Sequence, residues 1–530
     1  MLSPTGAEPS TRGERLLWHR RGVSVDAVVI GAGHNGLVAA TLLARAGWSV
    51  EVLERAPVAG GAIGSDRTDR GYVHDWGSAF YGVLHTSPVL AELGLDRRVD
   101  WARTDTPVSA VWDERERAGV MRTTAAQTAA GLGVDGEAWL ELTQWWARVG
   151  EPLFAALLGP VGAPAPLLRA GRRLSGAREA LQVMRTMLEP VEAFATQRFS
   201  TGAARLLFAG NATHADVGID AAGSTPPAIL LAMAAQTRGM PVPVGGAGVL
   251  AAALVAVAQE AGVVVRTGIE VTRVVVRGGR AVGVVTADGE GITARRAVVA
   301  DVAPHLLARD LVGEQHLPAA WLASLRRHRW TSGYFRLDVD LDGPAPWRDE
   351  RLADSTVVHV SGDLDEMAMS QAQVRRGRLP DLPQLILGQQ DRADPSRVPP
   401  GAAGLWVECH CPARPVDEPD DWAQPFADRV LDRLEQHAPG LRSQIVDTTL
   451  TTPLDLQRRD PNLVGGDVGG GSAAPDQLLV FRPVAGWSSY RLPVTGLWMC
   501  GSASHPGGGV HGLCGRNAAK SVLRVSRYGL

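Results

Sequence analysis

The sequence predicts an α/β protein in which two domains are interleaved along the chain. Three observations support this fold class. A strand-like run, a glycine-rich turn, a helical segment and a second strand-like run follow one another between Asp26 and Glu54. Regular strand and helix patterns return between Val242 and Asp301, and again at Gly496–Gly501. Less regular blocks separate these regions, so both domains are expected to be discontinuous in sequence.

The first regular block has the order expected of a mononucleotide-binding unit. DAVVI, at Asp26–Ile30, is a short apolar run typical of a buried parallel strand. LVAATLLARAG predicts a helix that stops at Gly47, and WSVEVLER predicts a second strand ending near Glu54. A β–turn–α–β unit of this length is the building block of doubly wound nucleotide-binding sheets.

The pattern along the chain predicts the following domain organisation. Residues 1–24 form a mobile tail, because they are rich in Ser, Pro, Gly and Arg. Residues 25–100, 236–305 and 487–530 form the nucleotide-binding domain. Residues 101–235 and 306–486 form the second domain, in which helical patterns at Glu137–Val149 and Ala177–Leu188 alternate with loops.

Composition excludes several classes of protein. The chain has 530 residues and a formal net charge of −3, so nothing indicates a nucleic-acid partner. Its four cysteines are Cys409, Cys411, Cys500 and Cys514. They show no paired zinc-ligand spacing, so no metal site or disulfide framework is expected. No stretch approaches the ~20 apolar residues of a membrane span, and the N-terminus lacks a secretory apolar core. We expect a cytoplasmic protein, with peripheral membrane contact left open.

The turn after the first strand carries a dinucleotide fingerprint. Gly31, Gly33 and Gly36 fit G-x-G-x-x-G, in which the glycines allow a tight turn, close diphosphate approach and helix–strand packing. The helix N-terminus then offers free N–H groups to the phosphates. Glu54, 23 positions after Gly31, can accept ribose hydroxyls at the end of the second strand. A purely structural turn is the less favoured alternative, because strand, helix, second strand and acidic end occur in order.

At this point the sequence resembles the FAD-dependent phytoene desaturase-like oxidoreductases. This family includes carotenoid desaturases, bacterial carotene ketolases and a pyridine nucleotide-disulfide oxidoreductase-like branch. The resemblance rests on four stretches in the family's order, and the central blocks match less clearly. The stretches are VVIGAGHNGLVAATLLARAGWSVEVLERAPVAGGA, GYVHDWGSAFYG, PVGGAGVLAAAL and YRLPVTGLWMCGSASHPGGGVHGLCGRNAA.

The resemblance implies a Rossmann-type FAD-binding domain with an interleaved α+β substrate domain, and a noncovalently bound FAD. The fingerprint glycines and Glu54 would hold the adenosine diphosphate half. The backbone of Val271 would contact adenine, although this residue is equally a strand core position. The full set of implied cofactor-binding residues is Gly31, Gly33, Gly36, Glu54, Arg55, Gly60, Gly61, Val271, Gly501, Gly508, Gly509 and Val510.

The glycine-rich stretch GSASHPGGGVHGLCGRNAA, from Gly501 to Ala519, is expected to return to the first domain. By resemblance, Gly507, Gly508 and Gly509 would leave space for the flavin. A helix over 511–525 would then point its N-terminus at the flavin edge that becomes negative on reduction. The alternative is a glycine-rich turn before an ordinary terminal helix.

Two candidate catalytic residues are His511 and Tyr490. VHGLCG departs from the VMGAPG that is usual in the related branch, so His511 and Cys514 replace a methionine and a proline. His511 is expected to donate a hydrogen bond or to carry a proton near neutral pH. A capping or packing role for His511 stays equally open. Tyr490, with Trp487, is placed on the substrate side, and core packing is the equally plausible alternative.

The resemblance implies a desaturase-like dehydrogenase or oxidase that removes hydride from a small or lipophilic organic substrate. Oxygen, a quinone or another acceptor would reoxidise the flavin. A non-catalytic flavoprotein that acts as an assembly partner stays open. An amine oxidase of the lysine–water type is disfavoured, because Lys520 is the only lysine and falls in the last helix. The insert from Val149 to Gly176 places apolar residues beside arginines, for which a packed helix is preferred over lipid docking.

Overall fold

Two seven-stranded sheets organise the chain, and the computed structural model describes residues 23–113, 116–161 and 164–528. The first sheet has a parallel centre that continues into an antiparallel meander. Its strands, in spatial order, are Val271–Arg277, Arg280–Thr286, Gly291–Ala300, Ser24–Ile30, Val50–Leu53 and Val264–Arg266; Leu497–Met499 also pairs with Gly291–Ala300.

Register brings the ends of the parallel strands together. Ile30 lies beside both Leu53 and Ala300, and Ala300 lies beside Met499. The residues that follow these strands therefore meet at one edge of the sheet. Ligands of open α/β sheets bind at this carboxyl edge.

Three helices pack against this sheet or against one another beside it: His34–Arg45, Ala247–Glu260 and Leu513–Tyr528. The first and last approach very closely, since a Cβ on Gly515 would lie 2.0 Å from the Asn35 carbonyl oxygen. The Gly515 N–H also donates to Asn35 Oδ1 at 3.2 Å. The C-terminus is thereby fixed against the first helix of the chain.

The second sheet is antiparallel except for one parallel pair, between Ser355–Val360 and Thr106–Val111. One face packs on the helix Ala423–His437, and the other faces a cluster of helices. Its strands, in spatial order, are Ile445–Thr451, Gly333–Leu341, Ala403–Cys411, Leu385–Gly388, Ser355–Val360, Thr106–Val111 and Gly119–Val120.

The remaining regular elements are two small sheets and further helices. Two small sheets pair Ser65–Arg67 with Val73–Asp75 and Trp101–Ala102 with Val242–Pro243. Within the described ranges, every helix is too short or too polar to span a bilayer. The other α-helices are Pro88–Leu93, Ala125–Leu132, Gly136–Trp145, Glu151–Leu157, Pro164–Gly171, Ala177–Leu188, Val191–Arg198, Gly202–Ala209, Thr225–Arg238, Pro304–Leu306, Ala319–Leu325, Leu364–Arg375, Gln390–Ala393 and Pro453–Arg459.

The architecture confirms the predicted fold class. The first sheet takes its strands from residues 24–53, 264–300 and 497–499, and the second sheet takes its strands from the blocks between them. The domain boundaries themselves stay a prediction. Most of the predicted N-terminal tail, residues 1–22, lies outside the described residues, and Ser24 already begins the first strand.

Candidate functional site

A cavity of about 1680 Å³ opens at the carboxyl edge of the first sheet and extends between the two sheets. Small-molecule sites commonly measure about 300–1,000 Å³. The space therefore suffices for a dinucleotide together with a second molecule. The loops after the parallel strands line one part, and helices of the second domain line the other.

The fingerprint loop leaves no space for side chains. Gly31 has φ +94°, in the left-handed region that favours glycine. A Cβ at Gly33 would lie 2.6 Å from Asp301 Oδ2, and one at Gly36 would lie 2.3 Å from the Gly31 carbonyl oxygen. Gly31 and Gly33 line the cavity, whereas Gly36 packs behind them. This bare backbone at a helix N-terminus suits a diphosphate.

Glu54 lies where the second strand reaches the cavity. Its Oε2 accepts the Ala32 N–H at 2.7 Å, and its Oε1 accepts the Ala56 N–H at 2.8 Å. These bonds fix the carboxylate, and each oxygen retains a lone pair for a ribose hydroxyl. The neighbouring Arg55 is exposed and also lines the cavity.

Asp301 is a site residue that the sequence reasoning missed. It follows the strand Gly291–Ala300, and its Oδ2 accepts the Gly36 N–H at 2.8 Å. Burial, with Asp460 and Glu54 nearby, raises the pKa of Asp301 to about 7. The signal was available, because an acidic residue ends the strand-like run ITARRAVVAD just as Glu54 ends its own strand.

The second glycine pair lies against the fingerprint loop. Gly60 has φ +137°, and its N–H donates to the Ala32 carbonyl oxygen at 2.9 Å. A Cβ on Gly61 would lie 3.0 Å from the Gly33 Cα. Gly61 lines the cavity, whereas Gly60 holds the loop from behind. Val271 is buried and also lines the cavity, so both of its predicted roles meet at one position.

The C-terminal glycines border the same cavity from the opposite side. Gly508, Gly509 and Val510 line it, and a Cβ on Gly508 would lie 2.6 Å from the Gly469 Cα. Gly501 does not line the cavity and lies beneath it. A Cβ on Gly501 would be 2.9 Å from Asp301 Oδ1. The close backbone approach on both sides, with the Glu54 carboxylate, fits a flavin dinucleotide.

Arg482 fastens two glycine-rich loops together. Its guanidinium is 1% exposed and donates to the carbonyl oxygens of Gly469 and Gly470 at 2.8 and 2.9 Å, and to Ser502 at 2.9 Å. Burial lowers the pKa of Arg482. The side chain lines the cavity next to Gly507, so it places a buried cation beside the C-terminal loop.

His511 lines the cavity, but its ring caps the last helix. Its Nδ1 accepts the Leu513 N–H at 3.0 Å, at the first residue of the helix. Burial, with His34 and His505 nearby, lowers the pKa of His511 to about 3. The imidazole is therefore neutral near pH 7, and the expectation that it carries a proton there does not match its environment. Only hydrogen-bond donation through Nε2 remains for a direct role.

Tyr490 does not lie on the substrate side. It is 4% exposed within the hydrophobic core of the first domain and does not line the cavity. Trp487 and Tyr490 instead border a separate void of about 10 Å³. Because no substrate can reach the Tyr490 hydroxyl there, its placement favours the core-packing alternative, and we correct the catalytic assignment on this ground.

The part of the cavity beyond the glycine loops is mainly apolar. Its apolar lining includes Phe154, Leu230, Leu231, Ala234, Met240 and Trp406. Titratable side chains also reach it, among them His214, Asp216 and Glu408. Burial raises the pKa of Glu408 to about 8, which makes this group a neutral acid near pH 7. These three residues come from separate segments without any local motif, so the sequence did not single them out.

The cysteines are buried and unreactive in character. Burial raises the pKa of Cys514 to about 11, and its Sγ donates to the Gly507 carbonyl oxygen at 3.3 Å. Cys409 and Cys411 share one face of their strand, and His410 faces the other side. Within the described ranges, no group of three His, Cys, Asp or Glu residues is arranged to hold a metal ion.

The fold and this site define a flavoprotein oxidoreductase. Residues 36–408 match the model of a family described as flavin containing amine oxidoreductase. Since the match spans more than half of the chain, the chain belongs to this family, and FAD is its cofactor.

Curated relatives match nearly the whole chain and confirm the resemblance. Pyridine nucleotide-disulfide oxidoreductase domain-containing protein 2 of Mus musculus is 29% identical over 551 residues, which covers 94% of this chain and 93% of the relative. A neurosporene-forming phytoene desaturase of Cereibacter sphaeroides is 26% identical over 510 residues and covers 92% of both chains.

Solved structures share the fold at low sequence identity. A triple mutant of putrescine oxidase superposes with a TM-score of 0.59 at 15% identity, over 96% of this chain and 99% of that chain. This likeness concerns the fold alone, and the substrate is left to the chemistry of the cavity.

Proposed function

We propose that the protein dehydrogenates a lipophilic organic substrate with its FAD. The observation that carries this proposal is the continuity of the cavity. It leads from the glycine loops directly into its mainly apolar part, the chamber lined by Phe154, Leu230 and Trp406. A substrate in this chamber would lie in the same enclosed space as the cofactor. FAD supplies the hydride acceptor, while the protein orients the substrate and excludes water.

The chamber lining favours a hydrocarbon-rich substrate. The helix Thr225–Arg238 presents Leu230, Leu231 and Ala234, and Phe154 and Trp406 contribute aromatic surface. Removing apolar surface from water contributes roughly 25 cal/mol per Å². The similarity to a phytoene desaturase supports this choice. A specialised metabolite other than a carotenoid is equally compatible with the chamber.

Amine oxidation of the lysine–water type has less support. Lys520, the only lysine of the sequence, is exposed on the C-terminal helix and does not line the cavity. No lysine is therefore available to hold a water against the substrate face. The likeness to putrescine oxidase concerns the fold and leaves this argument unchanged.

We further propose peripheral contact with an anionic membrane near the cavity. Leu168, Leu181, Met184 and Leu188 are each at least 60% exposed, and exposed arginines accompany them; these are Arg169, Arg172, Arg173, Arg178 and Arg185. Leu188 also lines the cavity, so a lipophilic substrate has a short route from bilayer to chamber. The packed-helix expectation holds only for buried members of the insert, such as Phe154 and Ala156.

A non-catalytic flavoprotein is the second candidate, because fold does not fix function. The test is anaerobic mixing of the purified protein with a panel of terpenoid hydrocarbons, other lipophilic metabolites and aliphatic amines. Dehydrogenation predicts loss of the yellow flavin colour with a lipophilic member of the panel. Bleaching by amines alone would contradict the proposed substrate class, and bleaching by none would favour the non-catalytic candidate. Acid or heat is expected to release the FAD into the supernatant, whereas colour in the precipitate would contradict noncovalent binding.

A further inference from the structure

We propose that Asp216 accepts the proton released by substrate oxidation and shares it with His410 through the Ser332 hydroxyl. This inference rests on the proposed function and adds a proton acceptor to it. Asp216 lines the cavity. The other two residues connect it to the interior of the second domain.

Three short contacts link these side chains. The Ser332 Oγ lies 2.9 Å from Asp216 Oδ1 and 2.9 Å from His410 Nδ1. The Ser332 N–H also donates to Asp216 Oδ1 at 3.1 Å. On the far side of the ring, His410 Nε2 lies 2.7 Å from the Thr213 carbonyl oxygen. Asp216 Oδ2 has no hydrogen-bond partner among the described residues, which leaves it available to a substrate.

Counting hydrogens shows that the hydrogen-bonded side chains of Asp216, Ser332 and His410 have room for one exchangeable proton. The Thr213 carbonyl can only accept, so His410 Nε2 carries a hydrogen. Two further hydrogen bonds, on either side of the Ser332 oxygen, need two hydrogens, and the hydroxyl supplies one. The second sits either on His410 Nδ1, beside a carboxylate, or on Asp216, beside a neutral ring. Without it, the Ser332 oxygen and His410 Nδ1 face each other with one hydrogen bond missing.

The proposed step balances with FAD as the oxidant. A substrate with hydrogens on two adjacent atoms loses one as hydride to FAD and the other as a proton to Asp216 Oδ2. The bonds to both hydrogens break, and a double bond forms between the two substrate atoms. The step starts with no proton on Asp216 or on His410 Nδ1. Rotation of the protonated Asp216 carboxyl group brings the new proton from Oδ2 to the Ser332 oxygen, and as this oxygen accepts it, the serine proton passes to His410 Nδ1. The reverse movement restores the carboxylate when the proton leaves through the cavity.

The surroundings favour Asp216 as the acceptor. Burial raises the pKa of Asp216, Asp467 adds to this, and His410 and Ser332 oppose it. Arg329, Tyr334 and His214 are the other titratable groups nearby. A carboxylate with a raised pKa is a stronger base. His511 and Glu408 suit the role less, because the first is a neutral helix cap and the second already holds its proton near pH 7.

The proton relay formed by Asp216, Ser332 and His410 also lies next to the glycine loops. Asp467 Oδ2 accepts the Thr331 N–H at 2.9 Å, and its Oδ1 accepts the Gly469 N–H at 2.7 Å. Gly469 in turn contacts Gly508, which borders the expected flavin position. One short path therefore connects Asp216 with the loop along which the cofactor is expected to lie.

The kinetic test compares Asp216→Asn with Asp220→Asn, a matched change at an exposed position of the same loop. The rate of anaerobic flavin reduction is expected to rise with pH in the wild type, and in Asp216→Asn it should fall by about 10²–10⁴-fold and lose this rise. FAD content should stay unchanged, and Asp220→Asn should behave as wild type. Ser332→Ala should change the pH profile while retaining FAD. A wild-type rate and profile in Asp216→Asn would overturn the proposal.

A second measurement needs no substrate. In ¹⁵N-histidine-labelled holoprotein at neutral pH, with His410→Gln used to assign the signal, the ring ¹⁵N shifts of His410 should differ between the wild type and Asp216→Asn, and Asp220→Asn should leave them unchanged. The reason is that only the first variant removes the carboxylate that contacts the ring through Ser332. Identical His410 shifts in the wild type and Asp216→Asn would overturn the relay. A wild-type flavin that no substrate reduces would instead contradict the proposed function, and with it the catalytic step, while the shifts would still decide whether the three side chains are coupled.

Discussion

The Gly36 N–H donates a hydrogen bond to Asp301 Oδ2 at 2.8 Å, at the start of the helix whose N-terminus is expected to face the cofactor diphosphate. A carboxyl group therefore lies where a second negative charge is least favourable. Because its pKa is raised to about 7, the Asp301 carboxyl group is protonated in a large fraction of the molecules near pH 7. In that form it no longer repels phosphate and can donate a hydrogen bond.

Asp301 should make FAD affinity depend on pH. Above pH 7 the free protein loses the Asp301 proton, so affinity should fall with rising pH, approaching tenfold per pH unit. Asp301→Asn should bind FAD with little pH dependence over the same range. Fluorescence titration of the apoprotein with FAD between pH 6 and 9 provides the measurement. Equal pH dependence in both proteins would refute this role.

Glu54→Gln should weaken FAD binding and leave the fold intact. A carboxylate accepts ribose hydroxyls with charge assistance, which contributes about 1.5–3 kcal/mol. The dissociation constant should therefore rise by about 10- to 100-fold. Glu260→Gln, an exposed change on another helix of the same domain, is the control. An unchanged constant for Glu54→Gln would show that this residue does not hold the ribose.

His511→Met should lower the stability of the fold more than it lowers the rate of flavin reduction. The change removes the acceptor of the Leu513 N–H and so uncaps the last helix, at a cost of about 0.5–2 kcal/mol. His511→Asn offers a side-chain oxygen in place of Nδ1 and should recover part of the loss. Melting curves and anaerobic flavin reduction on the same preparations separate the two effects. A 10²-fold loss of reduction with normal melting would restore the catalytic assignment.

Glu408 should destabilise the fold as pH rises. Its pKa is raised to about 8, so the folded state keeps its proton where the unfolded chain has lost it. The free energy of unfolding should fall between about pH 4.5 and 8, by on the order of 1 kcal/mol per pH unit, and then level off. Glu408→Gln should remove this contribution. Denaturant unfolding of both proteins at pH 5 and pH 8 measures it, and parallel pH profiles would exclude a buried neutral acid.

Membrane contact should depend on both apolar and basic side chains. The protein is expected to co-sediment with vesicles that contain phosphatidylserine and much less with pure phosphatidylcholine vesicles. Leu181→Gln combined with Met184→Gln should reduce binding several-fold, because both side chains are exposed. Val264→Gln, an exposed apolar change elsewhere, is the control. Equal sedimentation of all three proteins would argue against this surface.

Local patterns predicted the first domain well. The unit from Asp26 to Glu54 folds in the predicted order, because its strands are short apolar runs and glycines mark the turns. In the second domain the helix Ala177–Leu188 also has the predicted bounds, whereas the last helix of the first domain begins at Leu513 rather than at His511. Here the histidine ring itself supplies the cap, which a pattern of residue types does not reveal.

The substrate side could not be predicted from local patterns, because it is formed by contacts between residues that are far apart in the sequence. Asp216, Ser332 and His410 come from three segments that only the second sheet brings together. Tyr490 was misplaced because an aromatic residue before a strand can face either a cavity or the core. Leu181 and Met184 lie on a helix whose amphipathic pattern predicts a buried face, yet the described residues leave that face exposed.

The most direct test of the account is the anaerobic stoichiometry between flavin reduction and product. Purified protein is mixed with a lipophilic substrate that bleaches it, and the substrate pool is then analysed by mass spectrometry. Direct oxidation by the bound FAD predicts one product molecule, lighter by two hydrogens, for each FAD reduced. Flavin reduction without such a product, or no reduction by any lipophilic substrate, would contradict the claim that cofactor and substrate share this cavity.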